Sequence, residues 1–232
     1  MKKDKKEELI SAHDIYETLW RCRDFEINHL WQRAVFLTAF LVLCFTGYGS
    51  ALSKLADSYK DHNDTLFISV NIVCFVLSLL GITFSIMWIK MGKGSKAWYE
   101  VYESAIGAIE RHKDYATKEA RKIGGFSYNR LEGYRDIKLA NSIFSGRAGE
   151  FSPSRINIGI GQVFLIVWLV IGVSHTLMTA FRVHNLYTDS FYDTLIGISG
   201  IILLVVTTLI IGSAKLFKSE AIDWFRTYRK PD

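Results

Sequence analysis

FLIVWLVIGVSHTLMTAF, residues 164–181, contains one side chain that titrates near neutral pH, His175. Extended back to Ile156, the run has no Lys, Arg, Asp or Glu over 26 residues. A soluble core helix is seldom so long and so apolar on every face, whereas a bilayer needs about 20 such residues. Three further runs, 34–53, 66–89 and 194–214, share the pattern. The four account for about 90 of 232 residues, which reconciles a 22% charged composition with a 50% hydrophobic one. The sequence predicts an all-α fold with four membrane spans.

The charges between the runs set an orientation. Lys and Arg number seven in residues 1–33, two in 54–65, thirteen in 90–155, one in 182–193 and five in 215–232. Basic residues near span ends stay on the cytoplasmic side. Both termini and the 90–155 segment are therefore expected inside, and the two short connections outside. The opening MKKDKKEE does not run into a short apolar stretch with a cleavage site, so the 34–53 run reads as an uncleaved anchor. Cys22, Cys44 and Cys74 avoid the outer connections, which argues against a disulfide framework. Asn63-Asp64-Thr65 is formally a glycosylation sequon and equally a helix N-cap for the second span.

The inner segments read as amphipathic helices. In residues 1–33, Ile15, Leu19, Cys22 and Glu26 follow one stripe, and Tyr16, Trp20, Ile27 and Trp31 a neighbouring one. Trp20, Trp31 and Arg33 suit a headgroup zone. In 90–155, Trp98, Val101, Tyr102, Ala105, Ile106 and Ile109 recur at helical spacing, with Glu110, Asp114 and Lys118 placed on the solvated side. From residue 123 onward glycines and Pro153 punctuate the pattern, and one or two short helices with an ordered loop are expected. These pieces form a cytoplasmic cap with few apolar side chains per copy. Contacts between copies through Trp98, Tyr102 and Ile106 would complete it. Residues 215–232 form a cytoplasmic tail.

Catalytic patterns are missing. Gly92-Lys93-Gly94-Ser95 lacks the order and the strand–helix setting of a phosphate loop, and reads as a flexible, basic exit from the bilayer. The six histidines show no metalloprotease spacing, no cysteine pair has zinc spacing, and no nucleophile elbow occurs. No enzyme, cofactor or metal is expected. The inner segments carry a net charge of about +7, which suits anionic lipid headgroups better than nucleic acid.

Polar groups inside the runs carry more meaning, because burying them in lipid is costly. Asn71, Gln162 and His175 are the candidates for intramembrane contacts. Counted inward from Arg182, His175 lies about two turns deep, roughly 10 Å at 1.5 Å per residue. Asn71, five residues into its run, lies at a similar depth, so a hydrogen bond between them is open. The alternative places His175 on a wet path or at a pH-sensitive contact. With no intramembrane Asp, Glu, Lys or Arg, an ion-coupled transporter is disfavoured.

CRDFEINHLWQRAVFLTAFLVLCFTGYG (22–49), KGSKAWYEVYESAI (93–106) and FSPSRINIGIGQVFLIVW (151–168) together resemble the RipA-like family of bacterial inner-membrane proteins. That resemblance implies a cell inner-membrane location, a ring-like homo-oligomer described as an octamer, and for some members a part in adaptation to a host cell. It brings no catalytic residues. A weaker likeness, to pore-forming modules of the SLATT type, meets a departure here, since four spans replace two. The expected function is a non-enzymatic scaffold or sensor with membrane lipids, other copies and an unidentified protein as partners. The rival is a channel or pore-forming effector built on the same ring.

Overall fold

The structure, a computed structural model, describes residues 11–111, 142, 145, 151–186 and positions 202, 205, 206, 208 and 212. Among these residues it is all-helical, without strands. The long helices are α1 (Ala12–Lys60), α2 (Asp64–Arg111) and α3 (Pro153–Leu186). All three are long and apolar enough to cross a membrane. The expected fourth span, 194–214, falls mostly outside the described residues, although Ile202, Val205, Val206, Thr208 and Gly212 are helical. The short helices and loop expected after residue 123 also lie outside them, apart from a few positions.

Two sequence expectations about helix ends are corrected. Most of the 54–65 connection is helix. α1 runs on to Lys60 and α2 starts at Asp64, leaving three residues between them. There His62 takes φ 52°, Asn63 N–H donates to the Ser58 carbonyl (3.0 Å) and His62 N–H to that of Tyr59 (3.4 Å). This is a left-handed helix stop of the Schellman kind, built on a non-glycine residue. Asn63 then caps α2, its Oδ1 accepting from Leu66 N–H at 3.0 Å. The second correction concerns Gly92-Lys93-Gly94-Ser95. α2 passes through it unbroken, since tertiary contacts outweigh the propensity cost of about 1 kcal/mol per glycine. α1 begins with Ser11 Oγ accepting from Asp14 N–H (3.1 Å), and α3 with Pro153 in the first turn, where its missing N–H costs nothing.

The chain divides into two compact units, Met1–Gln32 with Lys93–Ile156, and Arg33–Gly92 with Asn157–Asp232. In the first unit α1 and α2 are tied by polar pairs. Tyr16 OH donates to Glu110 Oε1 (3.0 Å) and Arg23 Nε–H to Glu103 Oε1 (3.1 Å). Glu110, assigned above to the solvated side, is buried, because it lies one turn from Ile106 on the same stripe.

In the second unit the buried positions of each helix recur in alternating steps of three and four. α1 buries Ala34, Leu37, Leu41, Cys44, Ala51, Leu55 and Ser58, with half-buried Tyr48 in step. One stripe of α2 buries Phe67, Asn71, Cys74, Ser78, Gly81, Ser85, Trp88 and Gly92 in the same steps, beside buried Val70, Ile82, Ile86 and Ile89. This is the seven-residue repeat of a supercoiled bundle. Its α2 stripe is mostly small or polar, which lets α3 come close. Trp168 covers Gly81 so tightly that a Cβ there would stand 2.2 Å from its Cδ2. The pairing also runs the other way, Gly161 beneath Trp88 (3.1 Å from a Cβ) and Gly172 beneath Ser78 Oγ (2.7 Å). Large faces small along the antiparallel seam, the arrangement that packs helices where lipid removes the hydrophobic drive.

Gly81→Ala should therefore fail, its methyl group overlapping the indole. Overpacking typically costs about 1–3 kcal/mol. Gly159→Ala, where a Cβ meets nothing within 4 Å, should fold as the parent does. Thermal denaturation of both variants in detergent checks the pair, and equal melting would show that the seam is looser than described.

Candidate functional site

The polar candidates converge at one level of the second unit. His175 on α3 is 2% exposed and Asn71 on α2 is 0% exposed. Asn71 Oδ1 lies 2.8 Å from His175 Nδ1, and Asn71 Nδ2 donates to the Phe67 carbonyl at 2.9 Å. That carbonyl only accepts, so it fixes the Asn71 amide with nitrogen toward itself and oxygen toward the imidazole. His175 Nδ1 must then carry a proton and donate. In the neutral ring Nε2 is left as an acceptor. It is met by Tyr48 of α1, whose hydroxyl lies 3.0 Å away and donates. One backbone carbonyl thus sets the amide, the amide sets the tautomer, and the tautomer sets the phenol. Three helices share the chain of bonds.

Aromatic packing carries the junction inward. Trp168 is fully buried, stacked on Phe45 (centroids 4.4 Å apart) and met edge-on by Tyr48 (6.1 Å). Its indole N–H has no acceptor among the described residues. Farther along the seam, buried Trp88 gives its Nε1–H to the Asn157 carbonyl (3.0 Å) and side-chain oxygen (2.9 Å). At the other end Arg182 of α3 grips Asp64 of α2, Nη2 and Nε standing 2.6 and 2.7 Å from Oδ1. The guanidinium also lies 5.5 Å over the Phe67 ring and 5.9 Å over that of Tyr59. Hydroxyls on exposed faces donate to carbonyls four residues back, as Thr46 to Val42 (2.9 Å) and Ser174 to Val170 (2.8 Å). Their donors are satisfied within the helix, as a lipid-facing surface demands.

The remaining candidates do not join this junction. Gln162 is exposed, and among the described residues it has no hydrogen-bond partner. It follows Gly161, the position that faces Trp88, by one residue and so points about 100° away. Trp98 and Tyr102 are half-buried and stacked on each other, centroids 6.0 Å apart. The Tyr102 hydroxyl is held above the usual tyrosine range by burial, then by Cys22 and Glu26. Ile106 is 0% exposed within its own chain. Sequence reasoning missed Tyr48, Trp168 and the Asp64–Arg182 pair. Tyr48 left a signal in the steps of three and four along α1. Among the described residues no cluster of three or more His, Cys, Asp or Glu could hold a metal ion. The junction consists of neutral donors and acceptors.

The shared imidazole predicts coupled energetics. Tyr48→Phe and His175→Leu should each cost about 0.6–2 kcal/mol, and the double variant less than their sum, as measured by a double-mutant cycle on unfolding. Additive losses would mean that no bond joins them. Trp168→Phe, which removes an unpaired N–H while keeping a ring, should melt far closer to the parent than Trp168→Ala, which opens a cavity.

A protein-family model described as the octameric membrane protein family (8xMP) matches residues 13–178, a stretch that takes in all three helices wholly or nearly so. A search of curated proteins and one of solved structures found no match. The matched stretch holds the whole Tyr48–Asn71–His175 junction and most of both compact units, and on that coverage the chain belongs to the octameric membrane protein family.

Proposed function

We propose that this chain is a non-enzymatic, homo-oligomeric protein of a bacterial inner membrane, with four spans and both termini cytoplasmic, that scaffolds partners or senses conditions. The observation that carries the reading is the family match, whose name describes an octamer. The ring is the natural completion of a bundle whose outward face on α3 is large and apolar, including Ile156, Val163, Val170 and Phe181. The polar groups inside the bundle support a holding role. Asn71, His175, Tyr48, Trp88 and Asn157 are engaged with one another or with backbone. The RipA-like resemblance adds stress or host adaptation as the setting. Lipids and further copies of the chain are the partners this reading requires.

Eight copies of a 26.5 kDa chain give about 212 kDa, so native mass spectrometry of the detergent-purified protein should find that species. A monomer or dimer alone would remove the ring. Trp98→Asp places a carboxylate on the half-buried stack with Tyr102 and should split the oligomer while insertion persists, because an unpaired carboxylate resists burial. Conductance across a planar bilayer would instead favour a channel. Outside labelling of a cysteine placed at Lys118 would reverse the orientation.

A further inference from the structure

We propose that the Tyr48–Asn71–His175 junction is an acid-weakened clasp, in which a second proton on His175 reverses its bond to Tyr48 and strands the phenol hydrogen, loosening α1 from α3 while α2 stays bound. The neutral imidazole uses both nitrogens, donating from Nδ1 to Asn71 Oδ1 (2.8 Å) and accepting at Nε2 from Tyr48 (3.0 Å). An added proton has to go on Nε2, where the Tyr48 O–H already points. The phenol must then turn its hydrogen away from the ring, and it loses its acceptor inside the bundle. The bond to Asn71 survives, because Nδ1–H donates in both protonation states.

Among the described residues nothing nearby compensates the new charge. α1 presents Tyr48 and, one turn away, Cys44; α2 presents Asn71 and, one turn away, Cys74; α3 itself presents Ser174, Thr176 and Thr179. Both thiols and the phenol are neutral at the pH where histidine titrates. The charged pair two turns along α3, Asp64 with Arg182, is closed on itself. Among the described residues no carboxylate faces the ring. In the opened or unfolded chain the imidazole takes up a proton below about pH 6.5, whereas in the clasp that proton buries a charge and leaves the phenol O–H without an acceptor, its oxygen accepting from Nε2–H instead. Acid therefore favours the open state. The clasp's contribution is complete above that pH and is lost as pH falls.

The inference gives the sensor reading a trigger, yet it stands apart from subunit number. It is tested on the full chain in lipid nanodiscs by following Tm from pH 8 to pH 5. The parent should lose about 3–5 °C per pH unit below about pH 6.5 relative to His175→Gln, which keeps a polar group but cannot titrate. Parallel profiles overturn the clasp and leave the oligomer proposal, read from mass at neutral pH, untouched. Should His175→Gln fail to fold, Asn71→Asp supplies the missing counter-charge, and its acid loss should disappear. An acid loss equal to the parent's overturns the proposal.

Discussion

The close approach of α2 and α3 is the constraint on which the rest of the second unit depends. Between helices in lipid there is little hydrophobic gain, so contact and hydrogen bonding must supply the association. Trp168 over Gly81 and Trp88 over Gly161 bring large flat surfaces onto bare backbone. That depth of contact holds α3 in register, and the register decides which polar groups meet. One turn outward from Gly172 it sets His175 against Asn71. Inward it sets Asn157 under the Trp88 indole. A helix pair held apart by ordinary side chains would leave both bonds unmade, and a buried polar group without a partner costs about 1–3 kcal/mol.

The two units solve their polar problems differently. In the second unit Tyr48, His175, Asn71, Trp88 and Asn157 are neutral and bonded to one another or to backbone, and the Asp64–Arg182 pair sits near the helix ends with partial exposure. In the first unit, outside the apolar runs, charged and polar pairs tie α1 to α2 directly, Arg23 to Glu103 and Tyr16 to Glu110. Aromatic stacking of Trp98 on Tyr102 leaves both rings half-exposed there. The same two helices therefore change bonding style where the apolar runs stop.

The long helices were legible because uninterrupted apolar runs have few other physical solutions. Depth counting placed Asn71 and His175 at one level, and the structure joins them by a hydrogen bond. Tyr48 was harder to read. A tyrosine in an apolar run is equally at home against lipid, in a core or near a headgroup, and its bond to His175 depends on how α1 is rotated against α3. Glu110 was misplaced because its charge suggested water, while its position one turn after Ile106 pointed inward. Gly92 and Gly94 suggested a helix break, yet α2 runs through both, with Ile158 against Gly92. Gln162 lies on the exposed face of α3, since polarity alone does not choose a face. Tyr48 and Glu110 turn on rotation about a helix axis, which is set by the partner helix.

The central claim, that α2 and α3 interlock through facing small residues, is most directly tested by a disulfide. A Cβ on Gly172 would stand 3.5 Å from that of Ser78, at the short end of the range a disulfide spans, about 3.5–4.5 Å. In a chain whose Cys22, Cys44 and Cys74 are replaced by alanine, Ser78→Cys with Gly172→Cys should cross-link under mild oxidation. After proteolysis between α2 and α3 the two fragments should remain joined until reduced. The pair Ser85→Cys with Gly172→Cys, two turns out of register, should not form the bond. Cross-linking of the shifted pair, or none at Ser78 and Gly172 in a folded protein, would contradict the account.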